Sequence, residues 1–201
     1  TQIAMSYAAD RVQGRAPDAD RGDNTPVPIA THPDVRNMLM TMRALTDAAR
    51  AICYENGVFH DLAHFGGDEK AKAFNDLLTP ISKAFSTDIA NEVSSLGVQI
   101  HGGMGFIEET GIAQFSRDAK ILPIYEGTNG IQAIDLINRK LPLANGAIIS
   151  EYLAQIEETI TQCAEEEKLK ELSSALKNGF SDLQAATDFM LTHPNNLDRL
   201  Y

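Results

Sequence analysis

Residues 33–53 read PDVRNMLMTMRALTDAARAIC, and this stretch decides the fold class. Pro33 and Asp34 are residues favoured in the first turn of a helix. The apolar side chains that follow recur at spacings of three, four and seven residues, the period of an amphipathic helix. They are Val35, Met38, Leu39, Met42, Leu45, Ile52 and Cys53. The stretch therefore predicts a long helix that buries one face.

Further helices are predicted on both sides of this one. Residues 2–12 have the apolar spacing of a helix end, whereas residues 14–32 are rich in Pro, Gly and Asp and predict a polar loop. Asn56-Gly57 is expected to end or interrupt the long helix, and Gly66-Gly67 to break the chain. Short helices are predicted over residues 68–78, 112–118 and 129–141, with a junction at residues 143–146.

Pro80 is placed in the first turn of a separate helix, with Thr79 as its N-cap, and this helix is expected to run to about Leu96. No segment shows a clear pattern of residues that predicts a β-strand. The prediction is an all-α helical bundle.

Residues 150–191 form a second strongly helical region, whose apolar residues follow one face. We expect a solvated helical hairpin that packs on the preceding bundle. The predicted domains are a helical bundle over residues 1–145 and an additional, incomplete C-terminal helical region over residues 146–201.

Composition and charge exclude several classes of binding partner and site. The chain has 201 residues, a net charge of −11 and a pI of about 4.8, which disfavours nucleic acid. No apolar run is long enough to span a membrane, and the two cysteines predict neither a disulfide framework nor a metal site. We expect a cytoplasmic protein. The first residue is Thr and the first ten residues already have a helical pattern, so we expect a piece of a longer chain or a processed product.

Residues 99–105, QIHGGMG, place three glycines where a helical pattern ends. One interpretation is a helix C-cap with a tight reversal. The other is a backbone that approaches a phosphate or a ring closely, which glycine permits. His101 within this segment is interpreted as a hydrogen-bonded structural residue rather than a catalytic group.

Glu126 lies in PIYEGTNG, residues 123–130, after the apolar residues Ile121, Leu122, Ile124 and Tyr125. Apolar surroundings disfavour a charged carboxylate, which suits a general base that works near neutral pH. The alternative is a loop residue near the start of a helix, where the helix dipole favours negative charge. Residue types alone leave both open.

The two segments together, QIHGGMGF and RDAKILPIYEGTNGIQ, resemble the acyl-CoA dehydrogenases. The resemblance extends back through YAADRVQGRAP, residues 7–17, and covers most of residues 1–141. It implies the C-terminal helical bundle of a longer enzyme. Residues 146–201 resemble the extra helical region of a longer subgroup, which includes the 3-methylmercaptopropionyl-CoA dehydrogenase type.

The resemblance implies an FAD-dependent enzyme that oxidises the α,β-bond of an acyl-CoA thioester. Glu126 would be the base that removes the α-proton, with Tyr125 and Gly127 lining the substrate channel. The residues implied to contact FAD are Arg11, Gln13, Gln99, Gly102, Gly103 and Thr128. An electron-transfer flavoprotein is the implied acceptor, and a homodimer or tetramer the implied assembly. No metal is implied.

Two alternatives remain open at this point. The chain could serve as a non-catalytic helical module for oligomerisation or interaction, since residues 1–201 lack the other domains of such an enzyme and are expected to be inactive alone. The parent enzyme could also be an acyl-CoA oxidase, which differs in how oxygen reaches the reduced flavin.

Overall fold

The computed structural model describes residues 1–193. Its helices are α1 (Gln2–Asp10), α2 (Pro33–Gly66), α3 (Glu69–His101), α4 (Gly103–Phe106), α5 (Ile112–Ala119), α6 (Asn129–Asp135), α7 (Ala147–Glu165) and α8 (Lys170–Thr192). Short 3-10 turns lie at Ile29–Thr31, Glu108–Thr110 and Glu167–Leu169, and α6 continues into a π-helical turn at Leu136–Lys140. The predicted helical fold class is confirmed. No helix of residues 1–193 is long and apolar enough to cross a membrane.

The chain divides into two compact units. The first consists of residues 1–54 and 82–128. Its core is built by α1, the first part of α2 and the last part of α3, through Ala4, Ala8, Val35, Met42 and Ile100. This unit contains residues 99–105 and the second glycine-bearing segment as far as Thr128, including Glu126.

The second unit consists of residues 55–81 and the described residues from 129 onward. Its buried cluster is Leu77, Leu141, Ile149, Leu153, Ile160 and Phe180. Helices α7 and α8 form the predicted hairpin, and the hydroxyl of Ser173 in α8 donates to the carbonyl of Ile160 in α7 at 2.9 Å. Residues 194–201 of the predicted C-terminal region lie outside the described residues.

The expected absence of strands is wrong for residues 12–28. Strands β1 (Val12–Arg15) and β2 (Pro26–Pro28) pair antiparallel, with an irregularity between the Val12–Pro28 and Arg15–Pro26 pairs. These strands have four and three residues, and two prolines stand in the second, as edge strands allow. Such short segments do not show the alternation that predicts strands.

The predicted new helix at Pro80 is also wrong, because Pro80 lies inside α3. The Thr79 hydroxyl does not cap a helix but donates to the Asn75 carbonyl at 2.7 Å. A proline inside a helix costs roughly 3 kcal/mol. Leu77 and Leu78, which precede it, are completely buried, and each contributes about 1.5–3 kcal/mol. Burial therefore outweighs the cost of the proline.

Two further helix limits differ from the sequence predictions. Helix α2 continues through Asn56-Gly57, where the Asn75 amide donates to the Asn56 side-chain oxygen at 2.8 Å. Helix α3 extends beyond Leu96 to His101. The predicted break at Gly66-Gly67 is confirmed, and Asp68 caps α3 by accepting bonds from the N–H groups of residues 70 and 71.

Candidate functional site

A cleft of about 580 Å³ lies in the first unit, at the ends of α1 and α3 and beside β1. It brings together four of the residues predicted to contact a cofactor: Arg11, Gln13, Gly102 and Gly103. Gln99 does not line this cleft and is exposed on α3. The remaining lining residues are Tyr7, Gly14, Ile29, His32, Asp34, Val35, Ile100, His101 and Met104.

Arg11 stands where α1 ends and the strand begins. Its backbone N–H donates to the Tyr7 carbonyl at 2.8 Å, and its own carbonyl accepts from the N–H of Ile29 at 2.8 Å. Its guanidinium is exposed and donates to the Gln13 side-chain oxygen at 3.3 Å. The backbone of Arg11 is therefore fixed, while its charge remains available to an anionic group in the cleft.

His32 is a residue of this cleft that sequence reasoning missed. Its Nε2 donates to the Gln13 carbonyl at 2.8 Å, and its ring lies within 3.3 Å of the position that a Cβ at residue 14 would take. His32 therefore holds the strand that carries Gln13. A histidine in a polar loop carries no pattern that would have predicted this contact.

The interpretation of the glycine segment as a helix end with a tight turn is confirmed. Helix α3 ends at His101, and Gly102 has φ +58° and donates its N–H to the Gln99 carbonyl at 3.0 Å, as a helix-ending turn requires. A Cβ at Gly102 or Gly103 would meet nothing within 4 Å, so the backbone here faces open space in the cleft.

Gly105 has a different role from the other two glycines. It is buried, and a Cβ there would stand 2.3 Å from the Val98 carbonyl oxygen. That distance is far below any van der Waals contact, so only glycine lets the backbone at residue 105 pack directly on α3.

His101 is buried and hydrogen-bonded, as the structural interpretation expects. Its Nδ1 donates to the Gly97 carbonyl at 2.8 Å, and its ring stacks on that of Tyr7 with centroids 4.0 Å apart. These two contacts fix the last turn of α3 immediately before Gly102.

The second predicted segment forms the loop between α5 and α6. Glu126 has φ +53° and Gly127 has φ +83°, so two consecutive residues are left-handed. For a non-glycine residue this conformation costs roughly 1–3 kcal/mol, and such residues cluster at functional sites. The N–H of Tyr125 donates to the Ile121 carbonyl, and Lys83 Nζ donates to the Gly127 carbonyl at 2.8 Å.

The apolar surroundings expected for Glu126 are not formed by the described residues. Glu126 is exposed, and Ile121, Ile124 and Tyr125 are 51%, 59% and 46% exposed. None of the four loop residues 125–128 lines the cleft that holds Arg11.

Comparison with known proteins identifies the family. The sequence profile of "Acyl-CoA dehydrogenase, C-terminal domain" matches residues 4–141. The chain belongs to this family. It is 52% identical over 161 residues to the 3-methylmercaptopropionyl-CoA dehydrogenase of Ruegeria pomeroyi, an alignment that covers 79% of this chain and 27% of the relative.

Two further comparisons extend into α7 and α8. The broad-specificity linear acyl-CoA dehydrogenase FadE5 of Mycobacterium tuberculosis is 34% identical, over 98% of this chain and 34% of its own length. The crystal structure of Caenorhabditis elegans ACDH-11 in complex with C11-CoA has the same fold, with a TM-score of 0.72 and 24% identity over 92% of this chain and 29% of that one. The chain thus spans about a third of the length of these proteins.

Proposed function

We propose that this chain is the C-terminal part of an FAD-dependent acyl-CoA dehydrogenase and that Glu126 is its catalytic base. Family membership supports the reaction class. The observation that carries the proposal to individual residues is the cleft, which gathers Arg11, Gln13, Gly102 and Gly103 from two distant segments of the chain. The left-handed backbone at Glu126 supports a functional role for the other segment.

The residues of the cleft fit the ADP part of FAD. Gly102 and Gly103 present backbone without side chains, so that a flat or anionic group can lie against them. Arg11 supplies a local positive charge on a chain whose net charge is −11. Gln99 and Thr128 are proposed as further FAD contacts. When bound, the flavin accepts the hydride that leaves the β-carbon of the substrate.

Two groups of Glu126 act on the substrate, its side-chain carboxylate and its backbone N–H. Its carboxylate removes the α-proton of the thioester, a general-base role. Its backbone N–H donates to the thioester carbonyl oxygen and stabilises the charge that develops there. Glu126 is exposed within the described residues. The apolar surroundings of its carboxylate are therefore supplied by the substrate, the flavin and the rest of the enzyme. Tyr125 and Gly127 line the substrate channel.

The proposed partners follow from the same reaction. They are an acyl-CoA thioester as substrate, an electron-transfer flavoprotein as acceptor and further copies of the enzyme in a homodimer or tetramer, all in the cytoplasm. The names of the relatives suggest 3-methylmercaptopropionyl-CoA and linear acyl-CoA thioesters as the first substrates to examine.

The test is to purify the full-length enzyme, measure its FAD content and add a panel of acyl-CoA thioesters without oxygen. Bleaching of the flavin absorbance by one chain type supports the proposal and defines the substrate class. Bound flavin that no thioester bleaches would contradict the proposed substrate. A protein without flavin would favour the helical interaction module. Rapid reoxidation of the bleached flavin by oxygen would favour the oxidase.

A further inference from the structure

The loop that carries Glu126 is attached to α3 at both of its ends. At its start, the Asn91 side-chain amide donates to the Ala119 carbonyl at 2.9 Å. At its end, Lys83 Nζ donates to the Gly127 carbonyl at 2.8 Å. Both donors lie on α3, eight residues apart, which corresponds to roughly 12 Å along a helix.

The part of α3 that carries the two donors, Lys83 and Asn91, is well packed. Ser82, next to Lys83, is 8% exposed, and Ile89 between the two donors is 7% exposed. The Thr87 hydroxyl donates back to the Lys83 carbonyl at 2.8 Å within the same helix. Because this part of α3 is packed and regularly hydrogen-bonded, a side chain that projects from it can fix a loop more accurately than another loop residue could.

Within the loop, the residues on either side of Glu126, Tyr125 and Gly127, are both held by hydrogen bonds. The N–H of Tyr125 is bound to the Ile121 carbonyl at 3.1 Å, and the carbonyl of Gly127 is bound by Lys83. A bond from an ammonium group to a carbonyl is charge-assisted and stronger than a neutral one. The left-handed conformation at both Glu126 and Gly127 needs support from its surroundings, and Lys83 supplies it at the second residue.

We propose that Lys83 is a positioning residue that holds the Glu126–Gly127 turn in the geometry required for proton removal. This inference rests on the proposed function of Glu126. Lys83 fixes the peptide that follows Glu126, and through it the directions of the Glu126 carboxylate and backbone N–H. Small displacements of a catalytic group lower the rate of the chemical step more than they lower substrate binding.

The test compares Lys83→Met, which keeps the length of the side chain and removes the donor, with Lys83→Arg, which keeps a charged donor. Lys120→Met in the same loop is the matched control, because Lys120 is an exposed lysine that lines neither the cleft nor the proposed channel. All variants are made in the full-length enzyme and loaded with FAD.

The rate constant of flavin reduction is measured at saturating acyl-CoA. Lys83→Met is expected to lower it about 10–100-fold, with acyl-CoA affinity and FAD content changed less than about threefold. Lys83→Arg is expected to recover most of the rate, and Lys120→Met to match the wild type. A wild-type rate in Lys83→Met, or equal losses in Lys83→Met and Lys83→Arg, would overturn the proposal. If Lys83→Met does not fold, Lys83→Gln is judged by the same criterion.

Amide hydrogen exchange over residues 121–128 tests the attachment independently of the chemistry. Faster exchange in Lys83→Met than in Lys120→Met is expected, and unchanged exchange would contradict the role of Lys83. If the wild-type flavin is bleached by no thioester, the proposed function fails, while the exchange result still decides whether Lys83 holds the turn.

Discussion

The ring of His101 stacks on the ring of Tyr7, with centroids 4.0 Å apart and planes inclined by 21°. Tyr7 lies one turn before Arg11 in α1, and His101 directly precedes Gly102. The stack therefore joins the two sides of the cleft that we assign to FAD. The chain reaches the cleft from two distant segments, and this contact fixes their separation.

Removing the stack should weaken FAD binding. His101→Ala loses the stack and the bond to the Gly97 carbonyl, contacts worth about 0.5–1.5 kcal/mol each. We expect the dissociation constant of FAD to rise about tenfold, measured by flavin fluorescence during titration of the apoenzyme. Tyr7→Phe keeps the ring and loses only the 3.5 Å bond from the Tyr7 hydroxyl to the His101 carbonyl, so it should weaken FAD binding less than His101→Ala does. Equal FAD affinity in His101→Ala and the wild type would show that the stack does not shape the cleft.

Two glycines of residues 99–105, Gly103 and Gly105, should respond differently to substitution by alanine. Gly105→Ala forces a methyl group to within 2.3 Å of the Val98 carbonyl oxygen, so we expect a lower melting temperature. Gly103→Ala meets no protein atom within 4 Å and should leave the melting temperature of the apoenzyme unchanged, while it weakens FAD binding. A Gly103→Ala enzyme with normal FAD affinity would contradict the proposed position of the cofactor.

Arg11 should contribute charge to the cleft. Arg11→Gln removes an exposed guanidinium that lines it, and we expect about tenfold weaker FAD binding and a smaller dependence on salt. Arg15→Gln is the matched control, since Arg15 is an exposed arginine at the end of β1, four residues after Arg11, and does not line the cleft. If both substitutions weaken FAD binding equally, the effect is one of net charge, and the assignment of Arg11 is wrong.

The sequence predicted which segments are helical better than it predicted the residues at which the helices begin and end. The apolar period of residues 33–53 was sufficient for α2, because burial of one face is a local pattern. Pro80 was misplaced because the local preference of proline for a first turn was outweighed by the burial of Leu77 and Leu78, which depends on distant residues. The strand pair depends on a contact between two short segments, and no local signal marks it.

The sequence motifs pointed to residues that the fold brings together, but not to the residues whose hydrogen bonds hold them in place. The resemblance selected Arg11, Gln13, Gly102 and Gly103, which the fold brings to one cleft. His32 and Lys83 act through hydrogen bonds to main-chain carbonyls, and such acceptors are the same at every residue, so sequence cannot show them. The exposure of the Glu126 loop was missed because apolar residues in sequence do not necessarily enclose their neighbour.

Tyr152 should make the second unit sensitive to alkaline pH. Burial and the nearby Glu55 carboxylate, which accepts its hydroxyl at 3.1 Å, raise the pKa of Tyr152 from 10.0 to about 12. The unfolded chain loses this proton above about pH 10, whereas the folded chain keeps it. The stabilising contribution is therefore complete below pH 10 and is lost as pH rises to about 12.

The measurement is a phenolate absorbance titration of the wild type and of Tyr152→Phe, with Tyr54→Phe as control because Tyr54 is 68% exposed. The difference between wild type and Tyr152→Phe should titrate near pH 12. A difference centred on the ordinary pKa of tyrosine would show that Glu55 and burial do not act on Tyr152.

The most direct test of the account compares the full-length wild type with Glu126→Gln. Glutamine keeps the size and the backbone N–H but cannot accept the α-proton, so only the base is removed. Both proteins are loaded with FAD and mixed, without oxygen, with the acyl-CoA thioester that best bleaches the wild type. We expect Glu126→Gln to bind FAD and thioester normally and to reduce its flavin about 10²–10⁴-fold more slowly. Flavin reduction at the wild-type rate in Glu126→Gln would contradict the assignment of the base.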